Sequence, residues 1–167
     1  YLRSFVEMKS IEISNTNLEL KLSDIKSIRR HLYQKINKKI VLNDCKVFLR
    51  NKKNEVILIS PLKKTLYKIN RETKTKNFII EGNVFGLNFK SQWKRNYDNP
   101  LNSYHNVSFF NPKMEIQNIF QYENAKKFNT QTTISSSQDK SEYNIKFENE
   151  RIKITSPQKK NINFSLN

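Results

Sequence analysis

Over much of its length the chain alternates apolar and polar residues. Ile11 and Ile13, then Leu18, Leu20 and Leu22, keep a period of two on either side of a polar Ser-Asn-Thr-Asn, the pattern of a hairpin or of two short strands. The period then lengthens. Leu22, Ile25, Ile28, Leu32 and Ile36 recur at spacings of three and four, predicting an amphipathic helix with Ser23 as N-cap and Lys38-Lys39 near its negative end. From Ile40 the period returns to two. Val41, Val47 and Leu49, then Val56 and Leu58, predict a hairpin around Asn51-Lys52-Lys53-Asn54. Pro61 lacks an amide proton and is expected to end the second strand or lie at an edge. Leu62–Ile69 then makes a third strand.

Thr75–Phe89 reads as another strand pair divided by the Gly82 and Gly86 region, with Phe85 and Phe89 buried. Residues 92–112 hold Trp93, Tyr97, Tyr104, Phe109 and Phe110 without a sustained period, and predict an irregular connector. Met114, Ile116, Ile119, Phe120 and Phe128 fit a helix over Lys113–Asn129, followed by a flexible loop from Thr130 to Ser137. Tyr143, Ile145 and Phe147 share one face of a strand, with Ile152 and Ile154 in the return strand and Glu148-Asn149-Glu150 as the turn. The final residues add an edge strand. The fold class is therefore α+β, mostly antiparallel sheet with one amphipathic helix. Its organisation is a basic α+β domain at 1–91, the connector at 92–112, and a small β-rich domain at 113–167.

Composition sharpens the partner more than the fold. The 167 residues carry 31 Lys and Arg against 15 Asp and Glu, a net charge of +16, with only 36% apolar residues. Solubility needs a charge of magnitude about 2–8, so the excess points to a polyanion, nucleic acid or anionic lipid. Residues 1–100 hold 22 of the basic and 9 of the acidic residues, which places the anion-facing surface there. No run approaches the roughly 18 apolar residues of a membrane-spanning helix. Cys45 stands alone, which excludes an internal disulfide and a thiolate zinc site. The first twenty residues lack the apolar stretch of a secretory signal. The 23 Asn and 18 Ile beside 2 Gly match what an AT-rich genome would encode.

Catalytic groupings are not found. His31 and His105 are far apart, with no HExxH, HxxxH or CxxC spacing, and Asp24, Asp44 and Asp98 are isolated. His31 reads as a residue of a polar helix face, and Cys45, in alternation with Val47 and Leu49, reads as buried. The chain is read as a non-enzyme with no cofactor and no metal. Positive charge on turns is what stands out. Arg50, Lys52, Lys53, Lys63, Lys64, Lys68, Arg71, Lys74, Lys76, Lys94 and Arg95 are the candidate RNA-binding residues, since long flexible cations suit the irregular phosphate wall of a folded RNA. Tyr67, Trp93, Tyr97 and Tyr104 lie beside this charge and are open to two readings, stacking on unpaired bases or burial.

Residues Ile36–Ile69, INKKIVLNDCKVFLRNKKNEVILISPLKKTLYKI, resemble the opening of the large-subunit ribosomal protein L6 family, where strand, polar turn and strand run into a Gly-Pro-Leu-Gly turn. Here that turn is Ser60-Pro61-Leu62-Lys63, which keeps Pro61 and Leu62. The stretch YNIKFENERIKITSPQKK resembles the strand-turn-strand of the family's second domain. The resemblance implies two similar small α/β domains, of which the second binds rRNA. The resulting expectation is a structural constituent of a mitochondrial ribosome that binds and clamps folded rRNA beside neighbouring ribosomal proteins. It carries with it a matrix location, an AT-rich organellar gene, no small-molecule substrate and no transmembrane span. Two alternatives stand beside it: an accessory subunit of a respiratory or other large membrane complex, with basic and aromatic surface toward lipid headgroups, and a non-ribosomal nucleic-acid-binding factor.

Overall fold

A computed structural model describes residues 10–24, 27, 38–99, 101–124, 127–148 and 151–156, and the backbone of 159–165. Twelve strands form one sheet. They are β1 (Ser10–Ser14), β2 (Asn17–Lys21), β3 (Lys39–Arg50), β4 (Val56–Asn70), β5 (Thr75–Val84), β6 (Leu87–Asn96), β7 (Asn102–Phe110), β8 (Lys113–Asn124), β9 (Lys127–Ser136), β10 (Lys140–Glu148), β11 (Arg151–Ser156) and β12 (Lys159–Ser165). From β3 to β12 every strand pairs antiparallel with the next in sequence. The short β1 and β2 lie one after the other along β3, both parallel to it. A parallel neighbour needs a crossover of about a dozen residues or more, and residues 22–38 supply that length.

The turns follow from local chemistry. Between β5 and β6, Phe85 and Gly86 both have positive φ, 51° and 80°, the two-residue turn whose twist matches that of the flanking strands. Phe85 is thereby thrown outward and is 84% exposed, not buried as the sequence predicts. Between β3 and β4, the Asn51 side-chain oxygen accepts from the backbone N–H of Lys53 at 2.9 Å and of Glu55 at 3.0 Å. That closes the loop in which Asn54 takes φ 65°.

Irregular positions line up across neighbouring strands. Asn15 separates β1 from β2 with φ 53°, Asp44 interrupts β3 with φ 49°, and Lys63 is an extra residue of β4 where its pairing with β5 shifts. Aligned bulges bend the strands and increase twist. They also explain Pro61. It does not end a strand: β4 runs through it for 15 residues, because a proline is tolerated inside a sheet beside a bulge. The strand predicted at Leu62–Ile69 is the second half of β4. Gly82 of β5 packs against this point, where a Cβ would stand 2.5 Å from the Pro61 carbonyl oxygen. Only glycine fits there.

The α+β class is overturned: the described residues form an all-β meander. The helix expected over Lys113–Asn129 is instead β8 and the start of β9. Ile116, Ile119 and Phe120 satisfy helical spacing, but pairing with β7 sets Met114, Ile116, Phe120 and Tyr122 on one face at a period of two. The expected connector at 92–112 contains the end of β6 and all of β7, and the expected loop at 130–137 is most of β9. Its β-branched Thr130, Thr132, Thr133 and Ile134 suit a pleated strand. The helix predicted at Leu22–Ile36 falls largely on residues outside the described ones. The hairpins predicted at 41–58 and 143–154 and the final edge strand are present, with Ile145 opposite Ile154 and Phe147 opposite Ile152.

No second layer covers this sheet among the described residues. The chain exposes 12728 Å², against roughly 8,700 Å² for a globular protein of this mass. Among the described residues, Cys45 and Tyr67 are the buried hydrophobic ones, at 3% and 1% exposure. Stability therefore comes mainly from the ladder hydrogen bonds and cross-strand side-chain pairs, each contributing about 0.2–1 kcal/mol.

Candidate functional site

Register and alternation assign the strand residues to two faces. One face carries Ile11, Ile13, Leu18 and Leu20 from β1 and β2, then Ile40, Leu42, Cys45, Val47 and Leu49 from β3. It continues through Leu58, Leu62, Tyr67 and Ile69, then Phe78, Ile80 and Val84, then Leu87, Phe89 and Trp93. Beyond these come Val107, Phe109, Met114, Ile116, Phe120, Tyr122, Phe128, Ile134, Tyr143, Ile145, Phe147, Ile152 and Ile154. The other face carries most of the Lys, Asn, Gln and Glu. Neither face is pure: Ile57 and Ile59 stand on the polar one and are about half exposed, at 49% and 50%.

Aromatic rings tile the middle of the apolar face. Trp93 stacks on His105 at 4.9 Å and on Phe120 at 5.4 Å between ring centroids, Phe120 on Tyr122 at 5.8 Å, and Phe128 on Phe147 at 5.0 Å. Of the two readings open for Trp93, burial is the one the fold adopts in part: the ring is half-buried in this array. A polar seam runs beside the rings. Ser91 hydrogen-bonds the His105 Nε2 at 2.9 Å, and Thr132 donates to Asn118 at 2.8 Å. Burial holds the His105 imidazole below its ordinary value, so the ring is neutral near pH 7. Burial also pushes the Tyr67 hydroxyl up to about 12. His105 thus serves as a stacked, hydrogen-bonded ring of the face.

The eleven basic residues singled out in the sequence do not form one patch. Lys52 and Lys53 lie on the exposed β3–β4 turn, and Arg71 and Lys74 on the β4–β5 turn at the opposite end of β4. Lys74 is tied to Asp98 at 2.6 Å, which raises its pKa. Arg50 lies on the polar face and donates to Glu19 at 2.6 Å. Lys64, Lys68 and Lys94 are exposed on the polar face, with Lys63 at the bulge. There Glu81 is held below the usual carboxylate range, first by its hydrogen bond from Lys90 and then by the fields of Lys90, Lys64 and Lys63. Lys76 and Arg95 are on the apolar face. Lys76 is only 7% exposed, and the Arg95 guanidinium lies 5.9 Å from the Tyr122 ring centre.

The apolar face itself was missed in the sequence, although the signal was present. Phe89, Ser91, Trp93 and Arg95 alternate with Asn88, Lys90, Gln92 and Lys94, as do Ser103, His105, Val107 and Phe109 with their neighbours. Serines, a histidine and an arginine among the inward positions hid the period. Comparison with protein-family models, with curated proteins and with solved structures finds no match.

Proposed function

We propose that the chain binds anionic amphiphiles, with the alkyl chain laid along the apolar face of the sheet. One observation carries this reading: an apolar face continuous from β1 to β11 with no layer packed on it among the described residues. Apolar sheet faces are ordinarily covered by helices or a second sheet, and an alkyl chain offers the same apolar contact. The net charge of +16 favours an anionic headgroup on that ligand. The described residues include no helix long and apolar enough to cross a membrane.

Trp93 is the only tryptophan and lies within the aromatic array, which makes its emission a reporter. Titration with octyl, decyl and dodecyl phosphate below their critical micelle concentrations should change Trp93 emission saturably. Each added methylene contributes up to about 0.8 kcal/mol, so two more should tighten binding by up to about fifteenfold. An affinity independent of chain length, or no saturable change, refutes the proposal.

The ribosomal reading remains the second. It is supported by the exposed Lys63, Lys64 and Lys90 around Glu81 on the polar face and by Lys52 and Lys53 on their turn. It expects structured RNA to bind with a steep salt dependence and no effect of alkyl phosphates.

A further inference from the structure

Consecutive strands from β3 onward run in alternate directions, so the turns that follow β3, β5 and β7 lie at one end of the sheet. β2 runs parallel to β3 and ends there too, where the Leu22 N–H donates to the Arg50 carbonyl oxygen at 2.9 Å. Most of the exposed large apolar side chains among the described residues gather at this end. Phe85 stands on the β5–β6 turn and Phe110 at the β7–β8 turn, 84% and 59% exposed. Phe89 is opposite Phe109 across β6 and β7, which sets the two turns at nearly the same height, about 10 Å apart at the ordinary strand spacing. The β3–β4 hairpin reaches further. Gly82 is opposite Leu62 and β5 ends at Val84, so residues 56–59 project past the β5–β6 turn, with Val56, Ile57 and Ile59 exposed.

A two-residue turn with both φ values positive favours Asn-Gly, and a bulky side chain at positive φ is disfavoured. Phe85 holds φ 51° and yet buries almost nothing against its own chain. Contact with a partner is what such a ring can provide. Charge identifies the partner. Lys52 and Lys53 on the β3–β4 turn and Lys113 after the β7–β8 turn are exposed, and no ion pair of the described residues involves them. Glu55, beside Lys52 and Lys53, accepts from the Asn51 side-chain amide at 2.6 Å. Protruding rings flanked by lysines suit an anionic lipid surface, where rings enter the boundary between headgroups and acyl chains and lysines meet a negative potential. We propose that this end of the sheet docks on an anionic bilayer, with Phe85 and Phe110 inserted and Lys52, Lys53 and Lys113 among the headgroups. This surface is separate from the apolar face, and its assignment does not depend on the amphiphile reading above.

Flotation of the full chain with lipid vesicles tests this. Vesicles of equimolar phosphatidylcholine and phosphatidylglycerol should bind the wild type at least about tenfold more tightly than phosphatidylcholine alone, since each Lys near an anionic surface adds about fivefold. Phe85→Asn should weaken binding to the mixed vesicles by about tenfold and leave the urea midpoint unchanged or raised, because Asn suits that turn. Lys52→Gln with Lys53→Gln should weaken the same binding by about tenfold or more. Leu101→Ser, at an exposed position on the opposite end of the sheet, should leave it unchanged. No binding to either vesicle, equal binding to both, or full binding by Phe85→Asn overturns the docking surface. Structured RNA bound by the wild type and weakened in the lysine variant, with no vesicle binding, also overturns it and assigns the lysines to RNA. The Trp93 titration keeps the two readings apart. Saturation by dodecyl phosphate without vesicle binding leaves the amphiphile reading standing alone, and vesicle binding that Phe85→Asn weakens, without saturation, leaves the docking surface standing alone.

Discussion

Tyr67 shows how the burial of one residue links folding to pH. Its ring is 1% exposed, and it is one of two buried hydrophobic residues among those described. Burial disfavours the phenolate and raises the hydroxyl pKa from 10.0 to about 12. Folding and titration are therefore linked. Below pH 10 the hydroxyl keeps its proton in both states and this linkage costs nothing. Between pH 10 and 12 the unfolded chain releases the proton and the folded chain retains it, so stability falls by about 1.4 kcal/mol per pH unit. Urea unfolding of the wild type and Tyr67→Phe across this window checks it. The pH-dependent loss should be shallower in Tyr67→Phe, and equal slopes would mean that Tyr67 is not buried in this way.

At the level of a strand, adjacent residues lead separate lives. Phe120 and Ile119 are neighbours in β8, yet Phe120 stacks between Trp93 and Tyr122 on the apolar face while Ile119 stands 46% exposed on the other. Removing a fully buried Phe side chain costs about 3–5 kcal/mol, and the half-buried Phe120 should cost about 2. Ile119→Ala should stay within about 0.5 kcal/mol. Urea midpoints of the two variants decide between the strand and the helix that the spacing predicts, since on a helix Ile119 and Phe120 would share the apolar stripe with Ile116 and cost alike.

Among the described residues the molecule is a row of strands whose contacts fall almost wholly between hydrogen-bonded neighbours. Its stability is thus close to a sum of neighbour terms, as in repeat proteins. Amide exchange should be slowest in β4, β5 and β6, around Tyr67, and should quicken stepwise toward β1 and β2 on one side and toward β10 and β11 on the other. Uniform protection across all strands would show that a further layer ties the sheet together.

Sequence alone determined the features set by nearest neighbours. The β3–β4 hairpin around Asn51–Asn54, the β10–β11 hairpin around Glu148–Glu150, the burial of Cys45, the final edge strand and the net charge were all legible, because turn residues and two-residue alternation act within a few positions. Tertiary pairing decided what alternation could not. Ile116, Ile119 and Phe120 satisfy a helical and an extended spacing equally, and only the β7 register chooses between them. Lys76 and Arg95 read as members of one basic surface with Lys74 and Lys94, and the pleat divides them: Lys94 to the polar face, Lys76 and Arg95 to the apolar one. Pro61 signals a strand end until the bulge at Lys63 lets β4 pass through it. A side chain's face depends on the count of residues back to each bulge, and those bulges are fixed by hydrogen bonds to strands distant in sequence.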